Sequence, residues 1–98
     1  MELPKHIDLR GLLSFQIMNE IKEKSCCGED LAFIIGRRKG NKLTPGTIYP
    51  TLKRLRKDKL VKYKQFGRKK IYSLTKKGLR EHRTSKRIFL ALFKGIFK

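Results

Sequence analysis

Residues 44–58 read Thr44-Pro45-Gly46-Thr47-Ile48-Tyr49-Pro50-Thr51-Leu52-Lys53-Arg54-Leu55-Arg56-Lys57-Asp58. At about 100° per residue, Ile48, Leu52 and Leu55 share one side of a helix. Gly46, Lys53, Arg54 and Lys57 fall on the opposite side, with Thr47 and Tyr49 at its flanks. Thr44 suits the cap, because a threonine hydroxyl accepts from an early backbone N–H. Pro45 suits the first helical position, where no N–H is needed. The stretch therefore predicts a cylinder with one greasy side anchored in a core and one cationic side in solvent. Pro50 sits awkwardly in it. Within a helix a proline deletes the hydrogen bond to the residue four back and crowds that carbonyl. The missing side chain at Gly46 relieves part of the crowding.

Upstream, Asp8 precedes Leu9, Leu12, Leu13, Ile17 and Ile21 at helical spacing, which predicts a helix over residues 9–24. Cys26-Cys27-Gly28 breaks the pattern. A shorter helix is expected over residues 29–38, with Glu29 and Asp30 in its first turn and Arg37 and Arg38 in its last, the polarity that a helix dipole favours. Leu31, Ile34 and Ile35 form its inward face, and Gly40-Asn41 marks a turn.

Downstream the period changes. Residues 60–66 and 70–74 alternate as strands do, and Gly67-Arg68-Lys69 between them reads as a short hairpin loop. Thr75 then caps a last helix containing Leu79. Toward its end Ile88/Phe89, Leu92/Phe93 and Ile96/Phe97 recur every four residues and make one apolar stripe.

The chain of 98 residues is long enough for one domain, and 39% hydrophobic content is enough for a core. Its charge is unevenly placed. Residues 1–36 carry four basic and six acidic residues, whereas residues 37–98 carry 22 basic and two acidic ones, for a net +18 overall. Solubility alone asks for a net charge of only about 2–8 in a small domain, so an excess of this size is the footprint of a polyanion binder. Asp58 and Glu81 are the only acids after residue 36, and no phosphate-binding loop or nucleophile triad is visible, so enzyme chemistry is not expected. His6 and His82 are far apart and no ligand spacing involves the cysteines, so neither a metal nor another cofactor is expected. Two adjacent cysteines make no disulfide framework. Cys26-Cys27 reads as small residues at a helix end, with a redox switch as the sharper alternative. The N-terminus shows no signal peptide, and the apolar run from Ile88 to Phe93 is too short to span a bilayer, so a cytoplasmic protein is expected.

The order helix, helix, helix, hairpin, helix predicts a mainly α fold with a small β-hairpin wing. This is a winged helix-turn-helix over residues 1–78, followed by a C-terminal amphipathic dimerisation helix over residues 79–98. A helix of this kind fits the major groove of B-DNA, about 12 Å wide, and a basic hairpin beside it can hold phosphates or reach the minor groove. The sequence also resembles a known family. The run from Leu43 through Thr44-Pro45-Gly46-Thr47-Ile48-Tyr49-Pro50 to Leu55 is similar to the recognition-helix signature of PadR-type regulators. So are Leu60-Val61, the wing tip Gly67-Arg68, and Tyr72-Ser73-Leu74-Thr75-Lys76-Lys77-Gly78. The likeness spans about residues 28–80 and includes the odd Tyr49-Pro50 pair. Lys59 departs from it, standing where a glycine is usual. The resemblance implies a homodimer joined largely through its terminal helices, binding a two-fold symmetric operator and repressing transcription. A small aromatic effector in the dimer cavity is also part of what it implies.

These readings converge on double-stranded DNA and a sequence-specific regulator. Arg54 is expected to read bases, because a guanidinium pairs with guanine O6 and N7, with Lys53 and Lys57 beside it. Thr44, Thr47 and Tyr49 are expected near the helix start, and Arg68, Lys69 and Lys70 on phosphates or the minor groove. Ile88, Phe89, Leu92, Phe93, Ile96 and Phe97 are the expected dimer contacts, since so small a chain has little surface of its own to cover them. Two rival readings remain. One is a structural nucleic-acid protein of chromatin or ribosome without sequence preference. The other is an anionic membrane surface for the basic amphipathic tail, which the dimer helix outweighs, so that no stable membrane association is expected.

Overall fold

A computed structural model describes residues 9–38 and 45–96, without the side chains of Leu9, Arg10, Arg38, Pro45 and Thr47. The elements follow the expected order: α1 (Leu9–Glu23), α2 (Gly28–Arg38), α3 (Pro45–Lys57), β1 (Val61–Phe66), β2 (Lys69–Leu74) and α4 (Lys76–Ile96). The strands pair antiparallel from Val61 opposite Leu74 to Phe66 opposite Lys69. The hairpin loop is thus Gly67-Arg68 alone, one residue shorter than the sequence suggests. Gly67 has φ +59° and Arg68 does not share the positive φ. That is the signature of a two-residue turn with glycine first, whose twist matches that of the strands.

The core is built from α1, α2, α3 and the inner face of the hairpin. Ile17, Met18, Ile21, Leu31, Ile35, Ile48, Leu52, Leu55, Val61 and Tyr72 are buried in one cluster, with Cys26 at its edge. Cys26 exchanges both backbone hydrogen bonds with Tyr72, so the segment between α1 and α2 pairs briefly with β2. Burial pushes the Cys26 thiol up to about 11, helped by the nearby carboxylate of Asp30. It is therefore protonated at neutral pH.

Two joints fix the hairpin between α3 and α4. At the end of α3, Leu60 N donates to Leu55 O and Lys59 N to Arg56 O, each over 2.9 Å. This Schellman closure needs a left-handed residue at Lys59, whose φ is 61°. The departure at Lys59 thus leaves the geometry intact and places a side chain where glycine is easier. At the start of α4, the Thr75 hydroxyl accepts from Gly78 N at 2.9 Å and donates to Lys59 O at 2.6 Å. One side chain thus caps α4 and ties it to the end of α3. Gly78 lies so close to this joint that a Cβ there would overlap the Leu60 carbonyl oxygen.

No single stripe describes α1, because it packs on two sides. Ile17 and Ile21 enter the core, while Phe15 and Asn19 meet α4. His82 of α4 is 1% exposed, stacks on Phe15 at 5.2 Å, and places Nε2 2.9 Å from Asn19 Oδ1. That oxygen only accepts, so Nε2 carries the proton and Nδ1 would take a second one. Burial disfavours the second proton, as do the ammonium groups of Lys22 and Lys86, against a weaker opposite pull from Glu23, so His82 titrates below its ordinary 6.5.

Two outcomes follow from these contacts. Gly78→Ala is expected to destabilise the fold by about 1–3 kcal/mol, because a backbone carbonyl cannot swing away, and thermal unfolding at fixed protein concentration measures it. The unfolded chain takes up the His82 proton more readily than the native one, so this group's contribution is complete above its ordinary 6.5 and is lost as pH falls below that value. His82→Gln should remove this part of the acid sensitivity in a series of urea titrations from pH 7 downward.

Candidate nucleic-acid interface

Burial of Ile48, Leu52 and Leu55 sets the rotation of α3. Tyr49, Lys53, Arg56 and Lys57 are thereby turned to solvent. The Tyr49 ring lies over the start of α2, where a Cβ on Gly28 would come within 2.6 Å of it. The absence of a side chain at Gly28 is what lets the ring settle there.

The inner face of the hairpin lies against this side of α3. Tyr63 and Tyr72, opposite each other in the ladder, have ring centroids 5.6 Å apart. Two cations gather on Tyr63: Arg56 Cζ is 5.2 Å from its centroid and Lys70 Nζ 4.9 Å. Such contacts favour a cation electrostatically and hold a long side chain in place. Burial pushes the Tyr72 hydroxyl up, which keeps it neutral. Between α3 and the hairpin lies a cleft of about 300 Å³ lined by Tyr49, Leu52, Lys53, Arg56, Lys70 and Tyr72. A second, of about 230 Å³, is lined by Cys27, Gly28, Glu29, Tyr49, Arg68, Lys69, Lys70 and Tyr72. The two share Tyr49, Lys70 and Tyr72, so the outward side of α3, the wing and the start of α2 border common ground. Its chemistry is cationic and aromatic, with Glu29 as the acid present. It can neutralise phosphates and offer donors and ring faces to a duplex.

Of the expected site residues, Tyr49, Lys53, Lys57, Arg68, Lys69 and Lys70 are exposed on this side or at its edges. Thr44 and the side chain of Thr47 lie outside the described residues. Arg54 requires a correction. It does not share the outward face: it is half-buried, and Arg54 Nη2 donates to Ser14 Oγ on α1 at 2.8 Å. On a helix whose core side is centred on Ile48 and Leu55, residue 54 falls on the flank toward α1, a neighbour invisible to a helical wheel of α3 alone. Arg56, on the other flank, was missed for the mirror-image reason. The aromatic Tyr63, which alternation places on the inner face of β1, was the available signal.

The C-terminal stripe divides in the same way. Phe89 is half-buried against Phe15 of its own chain, with centroids 4.8 Å apart, and Phe93 stacks on Phe89 at 6.2 Å. Ile88, Leu92 and Ile96 remain 54–55% exposed, and Phe97 lies outside the described residues. The helix runs unbroken through residue 78, and its buried residues are Gly78 and His82. Among the described residues no helix is long and apolar enough to cross a membrane, and no cluster of three metal-ligating side chains occurs.

Three helices, a two-stranded wing and a cationic face beside them define a winged helix-turn-helix. The sequence description "Transcriptional regulator PadR-like family" matches residues 15–84, and the chain belongs to that family. It is a DNA-binding transcription regulator and not an enzyme. A PadR-like transcriptional regulator from Bacillus cereus is 27% identical, with a TM-score of 0.82 over 90% of this chain and 90% of that one. A PadR-like transcription factor from Bacteroides fragilis is 24% identical, with a TM-score of 0.76 over 89% of this chain and 88% of that one. A transcriptional regulator from Clostridium thermocellum shares the fold at 17% identity, with a TM-score of 0.81 over 97% and 95%. No curated protein matches the chain.

Arg54→Ala is expected to lower the unfolding free energy by about 1 kcal/mol, because it removes a charged donor that ties α3 to α1. An unchanged urea midpoint would show that the Ser14 contact adds nothing.

Proposed function

We propose that the chain recognises particular double-stranded DNA sequences as a homodimer and represses transcription from them. The observation that carries the reading is the joint placement of Lys53, Arg56 and Lys57 on the outer side of α3 with Arg68, Lys69 and Lys70 on the adjoining wing. α3 is the element that enters the major groove. Tyr49 and Lys53 address bases or phosphates near its middle, Thr44 and Thr47 near its start, and the wing cations hold the backbone. Arg54 sets the angle of α3 from behind.

The dimer rests on Ile88, Leu92 and Ile96, exposed along one side of α4, with Phe89 and Phe93 at their edge. A second copy of the same helix covers such a strip with a self-complementary surface and gives a two-fold symmetric reader. Repression is carried over from the family resemblance. A net charge of +18 also favours binding without sequence preference, and the experiment separates the two.

Selection of bound duplexes from a random pool should return a two-fold symmetric site preferred over random DNA by about 10³-fold or more. Lys69→Ala should then weaken site and random duplex alike and lower the salt slope of log K by about 1. An unenriched pool means a general nucleic-acid binder, and sedimentation of a monomer at micromolar concentration removes the dimer.

A further inference from the structure

Phe66 ends β1 at the tip of the wing and is 62% exposed. No ring contact among the described residues involves it. The register sets it opposite Lys69, and strand alternation places it on the same face as Lys62 and Lys64. Tyr63 and Lys70 belong to the other face, the one packed on α3. At the adjoining Gly67 an added Cβ would meet nothing within 4 Å, so the turn is open on that side, while Arg68 and Lys69 border the cleft at the start of α2. The hairpin thus presents an exposed aromatic ring at its tip, with Lys64, Arg68 and Lys69 near it in the strand register.

That surrounding charge disfavours an apolar protein partner and favours a polyanion. Among polyanions, duplex DNA offers a place for the ring as well as for the cations. Proteins that enter the minor groove combine basic side chains on the backbone with an apolar wedge, phenylalanine included, that slips between base pairs and kinks the duplex. We infer that Phe66 is such a wedge. It enters the minor groove flanking the site read by α3, parts one base step and bends the DNA, while Arg68 and Lys69 take the phosphates on either side. The wing then selects for a step that unstacks easily, such as TA or CA/TG, without a hydrogen bond to any base.

This inference rests on the DNA reading above, and its test is arranged to tell the two apart. The full chain is bound to its selected duplex carrying 2-aminopurine at successive flanking steps and a donor–acceptor dye pair at the ends. Wild type should brighten 2-aminopurine at one step and shorten the end-to-end distance. Phe66→Ala should abolish both signals and weaken binding roughly tenfold, with an unchanged salt slope because no phosphate contact is given up. Phe66→Leu, still an apolar wedge, should keep most of both. Coincident thermal unfolding of Phe66→Ala and wild type shows that the loss lies in binding rather than folding. If Phe66→Ala unstacks and bends its site as wild type does, the wedge is refuted and the DNA reading stands. If wild type prefers no duplex, the sequence-specific reading falls, and the wedge, which selects a base step, falls with it.

Discussion

Among the described residues of α3, three apolar side chains seat the helix in the core. Ile48, Leu52 and Leu55 are at most 3% exposed, and their contacts decide which of the many cations on α3 face outward. A rotation of α3 by one residue would bury a charge and expose a leucine, so the apolar contact fixes orientation far more firmly than any single cation does. α2 lies alongside, and α1 supports α3 from behind through Ser14. The hairpin grips its other flank through Tyr63, Tyr72 and Arg56. Electrostatics gives this surface its taste for phosphate, and packing gives it its aim.

α1 links the parts. One of its sides belongs to the core that seats α3, and the other holds α4 through Phe15 and Asn19. A shift of α4 therefore reaches α3 by two routes, through α1 and through the Thr75 joint at the end of α3. The uncharged state of His82 belongs to this arrangement, because a second proton would have to be accommodated in a buried place beside Lys22 and Lys86.

Much of this was legible in the chain itself. The helix ends that fall inside the described residues, those near residues 23, 28, 57 and 76, agree to within a residue because their signals are local: Gly28 at a break, a change from period 3.6 to period 2 after Leu60, Thr75 before a start. The core positions Ile17, Leu31, Ile35, Ile48, Leu52 and Leu55 follow from periodicity alone. What the sequence hid are relations between elements. A helical wheel assigns Arg54 to solvent because it does not know that α1 stands there, and it undervalues Arg56 because it does not know that Tyr63 does. The stripe of six on α4 looked uniform for the same reason. Its Phe89 is already taken by Phe15, which leaves a narrower open strip. Gly78 was visible as part of a familiar pattern, but its cause, the Leu60 carbonyl, required the fold.

The Thr75 joint sets a mechanical demand. α4 is 21 residues long, about 31 Å from end to end; it starts beside the threonine that also closes α3 and lies on α1 as far as Phe89. At that length a tilt of about 6° displaces the far tip by about 3.4 Å, the rise of one base pair. In the proposed dimer, copies fastened at their far tips would lose step with the duplex through a tilt of that size, so the Thr75 hydroxyl and the bare Gly78, together with the His82 and Phe89 contacts to α1, would keep the pair in pitch.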